Sequence, residues 1–152
     1  MQAHAAKLSA LGERMAAVFD TRDYVLLWLR CWVAHIFYVS SRTKVAGGFL
    51  EPSDSALSLF KYEYALPLLP TDIATTLAIY GETFLPILLI LGFVSRGAAL
   101  GLFGMTLVIQ LFVYPAHFSE HASWLAALLA VIMMGAGKIS LDHLLFRARR
   151  TK

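Results

Sequence analysis

Hydrophobic residues run along this chain in four long blocks, rather than in the narrow stripes of a soluble amphipathic helix. The blocks are Tyr24–Ser41, Ile73–Ser95, Gly97–Pro115 and Ala122–Gly137. Crossing a hydrocarbon core about 30 Å thick takes about 20 helical residues, so each block predicts one membrane-spanning helix. The third and fourth contain no Asp, Glu, Lys or Arg, and the first carries Arg30 as its one charged side chain, together with His35. The expected fold is all-α, a polytopic membrane four-helix bundle. Composition agrees: 59% of the residues are hydrophobic and the mean hydropathy is +0.66, against roughly 45–50% apolar for soluble domains.

Charge supplies an orientation. With both termini cytoplasmic, that side holds nine of the Lys and Arg residues and the other holds three, Arg42, Lys44 and Lys61. This is a positive-inside bias. It places both termini and the Val94–Arg96 turn inside, and the 42–72 and 116–121 loops outside. The net charge of +3 follows from the same asymmetry, so no nucleic-acid partner is needed; the expected partner is the lipid bilayer.

The segments outside the spans divide the chain further. Residues 1–23 lack the unbroken apolar core of a signal peptide, because Glu13 and Arg14 interrupt it. Leu8, Leu11, Met15, Val18 and Phe19 at helical spacing predict an amphipathic helix on the inner surface. Asp20 or Thr21 would cap the first span. Residues 24–145 form the membrane domain, and 146–152 a basic cytoplasmic tail. The 45–72 connection is rich in Leu, Phe and Tyr and is expected to fold back as an outer cap, with Pro67 and Pro70 breaking any helix there. Gly97 with Gly101, and Ala126 with Ala130, have the spacing that lets helices approach closely in lipid. The single cysteine, Cys31, forbids an internal disulfide and leaves no iron–sulfur ligand set. No flavin, haem or nucleotide motif is recognisable.

Candidate chemistry lies in the few polar groups within the apolar blocks. Glu82 is the only acid of its block. A charged carboxylate in the bilayer costs several kcal/mol unless it is paired, protonated or facing a polar cavity. Pro86, four residues on, cannot donate to the Glu82 carbonyl and leaves a free acceptor beside the acid. His35, Tyr38 and Arg42 share one face of the first span by spacing. These residues predict a polar pocket open to the outside, with Glu82 at its floor and Arg42 or Lys44 at its rim; a structural ion pair locking two helices is the alternative. Glu82 and His35 are the candidate proton-handling residues. Arg42, Lys44, Tyr38, Tyr62, Gln110 and Trp124 are the candidate ligand contacts. Arg30 is expected to snorkel towards the inner interface. His117-x-x-Glu120-His121 matches the pattern of inverted zinc peptidases. It follows a proline in a short loop and lacks an evident third ligand, so His117 and His121 are read as a surface histidine pair, with loose metal binding as the alternative.

Several stretches in order resemble the DoxX family. They are Ser-Ser-Arg-Thr-Lys44 after span one, Phe60–Pro70 (FKYEYALPLLP), Glu82 before Leu-Pro-Ile-Leu-Leu-Ile-Leu-Gly92, Ser95-Arg96, and Gly135-Ala-Gly-Lys-Ile-Ser-Leu-Asp142. The resemblance covers about residues 24–145. It implies a bacterial four-helix inner-membrane protein in a redox context. Relatives include a subunit of an archaeal thiosulfate:quinone oxidoreductase and membrane partners of superoxide dismutase and sulfurtransferase. The Tyr-Glu-Tyr…Pro-Leu-Leu-Pro loop is similar to a branch found beside enzymes that modify copper-binding peptides. Lys44, Glu82 and Arg96 carry over, with Asp142 as a cap or ion pair at the inner end of span four. Two functions are implied. One is a quinone-interacting oxidoreductase subunit working in a membrane complex, and the other is a non-enzymatic scaffold or small-solute carrier supporting partner enzymes.

Overall fold

The computed structural model describes residues 20–64, 66, 67 and 69–150, the last five for their backbone only. Most of the expected N-terminal amphipathic helix and the side chains of the basic tail lie outside the described residues. Four long helices carry the fold. They are α1 (Thr21–Arg42), α3 (Thr71–Leu91), α4 (Ser95–Val108, continued by a π-helical turn Ile109–Val113) and α5 (Phe118–Met134). Two shorter ones flank them, α2 (Asp54–Leu59) in the long connection and α6 (Leu141–Arg150) at the end. Each long helix packs against the next, and α5 closes the ring on α1. Among the described residues there is no strand beyond one isolated bridge, Val45 with Pro52.

Three segments, Thr21–Arg42, Thr71–Leu91 and Ser95–Val113, are long and apolar enough to cross a membrane. The fourth long helix, α5, is shorter than those three segments, at 17 residues or about 26 Å. It starts four residues earlier than its apolar block, on the polar turn after Pro115, and stops at Gly135, whose φ of +79° leaves the helical region. The bundle is dressed as a lipid-embedded protein. Trp28, Leu100, Leu111 and Met133 stand 60–70% exposed, an arrangement that water would penalise and lipid does not.

The packed core occupies the half nearest the termini. There Val33 and Ala34, Leu89, Ala98 and Leu102, and Leu128 and Val131 are sealed against one another. Of the two small-residue motifs, Gly101 makes a close approach: a Cβ there would meet Leu85 Cδ1 at 2.8 Å. Gly97 and Ala126 are exposed instead, because helix rotation turns the buried Ala98 and Ala99, and Ala127, inward in their place.

The same end is fastened by polar groups. Asp142 caps α4, accepting from Val94 N at 2.8 Å, Ser95 N at 2.9 Å and Ser95 Oγ at 2.8 Å. A carboxylate at a helix N-terminus satisfies free N–H groups and complements the helix dipole. Asp23 Oδ1 accepts from Lys138 N at 2.8 Å. Arg96 reaches the Met133 carbonyl at 3.4 Å. Arg30 does not snorkel: it is fully buried, and its Nη2 donates to the Ile139 carbonyl at 2.7 Å. The chain after α5 folds back beneath the bundle and offers that carbonyl nearer than any interface. Gly92 is required there, because its φ is +69° and a Cβ would overlap the Arg30 guanidinium and Ser140.

Candidate functional site

The opposite, loop-bearing half of the bundle is hollow. A cavity of about 820 Å³ lies among α1, α3, α4 and α5 beneath the 60–69 segment. Its charged floor is a single ion pair, Lys44 Nζ to Glu82 Oε2 at 2.8 Å, with both side chains more than nine-tenths buried. Lys44 follows the end of α1, where Ser53 N donates to its carbonyl at 2.9 Å and holds the chain back over the bundle. Its ammonium therefore points inward and also donates to Ser40 Oγ at 2.6 Å and the Ser40 carbonyl at 3.2 Å. Three donors serve three acceptors, which offsets much of the cost of burying the charge. Glu82 is delivered by α3, whose buried Thr75, Ile79, Glu82, Thr83, Pro86 and Leu89 keep helical spacing.

An aromatic wall runs up from this floor. Phe37 meets Trp124 edge to face at 5.7 Å, Trp124 meets His121 at 5.0 Å, and His121 lies 6.3 Å from His117. The series continues through Tyr114 (5.6 Å) and Tyr64 (5.7 Å) to Phe60 (4.9 Å) in the cap. A hydrogen bond ties cap to bundle, from Tyr114 Oη to Glu63 Oε1 at 2.6 Å. That bond, with Tyr64 alongside and partial burial, pushes the Tyr114 hydroxyl above its ordinary range. Burial, more than its charged neighbours, pushes Tyr64 up as well. Both are neutral phenols at physiological pH. Gln110 Nε2 donates to the Pro115 carbonyl at 2.8 Å, so its Oε1 is the acceptor facing His121 Nδ1 at 2.6 Å. The proton of His121 is thereby held on Nδ1, and Nε2 is left as the acceptor.

Several expected positions come together here and others do not. Lys44, Glu82, Trp124, His117 and His121 line the cavity, and Gln110 sits behind His121. His35, Tyr38 and Arg42 do share a face, but it is the wrong one. His35 is exposed, and Arg42 lies over the Tyr38 ring at 5.2 Å. α1 turns Ile36, Phe37 and Ser40 to the cavity instead, with Lys44 just beyond its end, because the buried Val33, Ala34 and Phe37 fix its rotation one position away. Arg42 braces the seam between helices, donating to Thr83 Oγ1 at 2.6 Å and Ser41 Oγ at 2.9 Å. Tyr62 is 76% exposed and borders a shallow surface groove, whereas Tyr64 faces the cavity. Sequence reasoning missed Ser40, Tyr64 and the Ser41–Thr83 bond of 2.6 Å. Ser40 was findable, since it precedes Lys44 by one helical turn. Among the described residues, no three His, Cys, Asp or Glu side chains are grouped to hold a metal.

Comparison with known proteins agrees with this architecture. The family model DoxX matches residues 25–115. An uncharacterized protein of Haemophilus influenzae is 31% identical, over 84% of this chain and 87% of its own. No solved structure matches.

Proposed function

The chain belongs to the DoxX family, and from that premise we propose that it is a quinone-interacting subunit of a redox complex in the bacterial inner membrane. One observation carries the reading: a Lys–Glu pair is buried at the floor of a largely apolar, aromatic-walled cavity. The volume of about 820 Å³ falls in the 300–1,000 Å³ range usual for small-molecule sites. A planar ring can stack on the wall while its carbonyl oxygen takes the Lys44 proton now given to the Ser40 carbonyl, the longest of the three bonds. Reduction of a quinone consumes two electrons and two protons. The electrons come from a partner protein, the Lys44–Glu82 pair gives one proton to the carbonyl oxygen as charge arrives there, and water from the loop end supplies the second proton and restores the first. The loop end faces the periplasm in this reading, and a reporter fused to the C-terminus that proved periplasmic would overturn that orientation.

The test is tryptophan fluorescence and thermal shift with a soluble benzoquinone, on protein in nanodiscs, for wild type, Glu82→Gln and Lys44→Ala. Saturable quenching in wild type, weakened tenfold or more in both variants, is the expected result. Wild type that shows no saturable binding, with both variants merely destabilised, would overturn it.

The second reading, a scaffold or small-solute carrier for partner enzymes such as copper, oxidative-stress or peptide-modification systems, draws on a different observation. Ser41–Thr83, Arg42–Thr83 and Lys44–Glu82 form a continuous polar seam between α1 and α3. Such a seam would hold two helices together with no ligand at all.

A further inference from the structure

The cavity wall is open on one side. α3 and α4 run antiparallel and meet by setting a glycine against a larger side chain at each turn. A Cβ on Gly101 would touch Leu85 Cδ1 at 2.8 Å, and one turn nearer the loops a Cβ on Gly81 would touch Met105 Sδ at 3.0 Å. The next step in that direction brings Leu77 and Ile109, and both line the cavity. Beside them Gly104 is exposed, lines the cavity, and has nothing within 4 Å of where its Cβ would stand. Leu77 and Val108 line the cavity and are also 57% and 40% exposed. Exposed cavity-lining residues on both helices, with empty space beside Gly104, mark a gap between α3 and α4. The α-helical part of α4 ends at this level and a π-helical turn takes over, a change that re-aims the side chains following it.

The gap lies at membrane depth. Leu77 is six residues beyond the start of α3 at Thr71, about 9 Å along the axis. Ile73, Leu107 and Leu111 around it are apolar and exposed. The other opening of the cavity, at the loop end, is rimmed by exposed His117 and Glu120, a surface suited to water.

We propose that the gap between α3 and α4 is a side portal to the bilayer, admitting a molecule with a polar ring and a long hydrocarbon tail. The ring passes inward to Lys44 and Glu82 while the tail stays among Leu77, Gly104, Val108 and the lipid. This rests on the quinone reading and narrows it to a lipid-dissolved, long-tailed quinone. The physical advantage is that the tail never crosses water, so its transfer free energy is not spent on binding.

Gly104→Phe places a ring in open space and plugs the portal. Ala126→Phe, on an exposed face of α5 away from the cavity, is the control. The probes are a decyl-substituted benzoquinone and the same ring without its tail, added to full-length protein in nanodiscs and followed by tryptophan quenching. Wild type and Ala126→Phe should bind both probes, and Gly104→Phe should slow association of the decyl probe tenfold or more while leaving the bare ring within twofold. If Gly104→Phe fails to fold, Val108→Phe makes the same test one turn further along α4. Unchanged decyl binding, or equal weakening of both probes, overturns the portal. Wild type that binds the bare ring but not the decyl probe also overturns it and leaves the quinone reading standing; wild type that binds neither removes both.

Discussion

The two halves of this bundle are built from the same four helices and differ in what lies between them. Towards the termini, aliphatic side chains from all four meet without a gap, and the helix ends are tied by Asp23, Arg30 and Asp142 to the chain returning beneath them. Towards the loops the helices enclose about 820 Å³, with one ion pair at the bottom and a folded-back cap on top. Polar side chains therefore do opposite work at the two ends. In the fastened half they satisfy backbone groups at a helix end and in the returning chain; in the hollow half they satisfy one another and face a space. A short helical protein can keep such a space open in lipid because its other half resists collapse.

The sharpest way to break this contrast is to strip one member of the buried pair. Lys44→Met leaves Glu82 without its countercharge and should cost about 3–5 kcal/mol, read as thermal unfolding in nanodiscs. The Lys44→Met/Glu82→Gln double variant should recover most of that loss. Equal losses in single and double variants would show that packing, not charge, supports the floor. Next in size, Leu128→Ala in the sealed half should cost roughly 3 kcal/mol by leaving a cavity. Leu77→Ala, at a side chain that lines the cavity and is 57% exposed, should cost roughly 1 kcal/mol or less; similar losses at the two sites would erase the distinction between the halves.

Asp142→Ala removes the cap of α4 and should cost about 1–2 kcal/mol, with faster amide exchange at Val94 and Ser95. The smallest effect is expected from Tyr114→Phe, under about 1 kcal/mol, with faster exchange confined to residues 60–64. Tyr114 also sets an alkaline limit. Its hydroxyl is held above the ordinary value of about 10. Its contribution to cap closure is therefore complete below pH about 10 and is lost as pH rises through the raised value. Tyr114→Phe should lack that alkaline step.

The helices were legible because lipid-crossing segments must be long and apolar, and Glu82 was legible because an acid in such a segment stands out. Rotation was harder to read. α1 spreads apolar residues over every side and polar ones over several, Arg30, His35 and Ser41 among them, so its sequence does not tell the lipid face from the core face, and Phe37 and Ser40 occupy the cavity where His35 and Tyr38 are expected. Arg30 was misjudged because the carbonyl that receives it belongs to Ile139, 109 residues away. Asp142 was expected to cap or pair at the inner end of span four, and the N–H groups it caps belong to the start of the third span at that same end. Long-range partners of this kind are set by how the chain returns on itself, which periodicity does not encode.

The order in which the pair is synthesised has its own consequence. An acidic residue near the centre of a span adds roughly 3 kcal/mol to the cost of membrane insertion. Lys44 precedes Glu82 by 38 residues, so it has already left the ribosome when the span bearing Glu82 reaches the translocon. The countercharge is present before the charge that needs it, which makes the first hairpin, rather than the single helix, the unit that can be handed to the lipid.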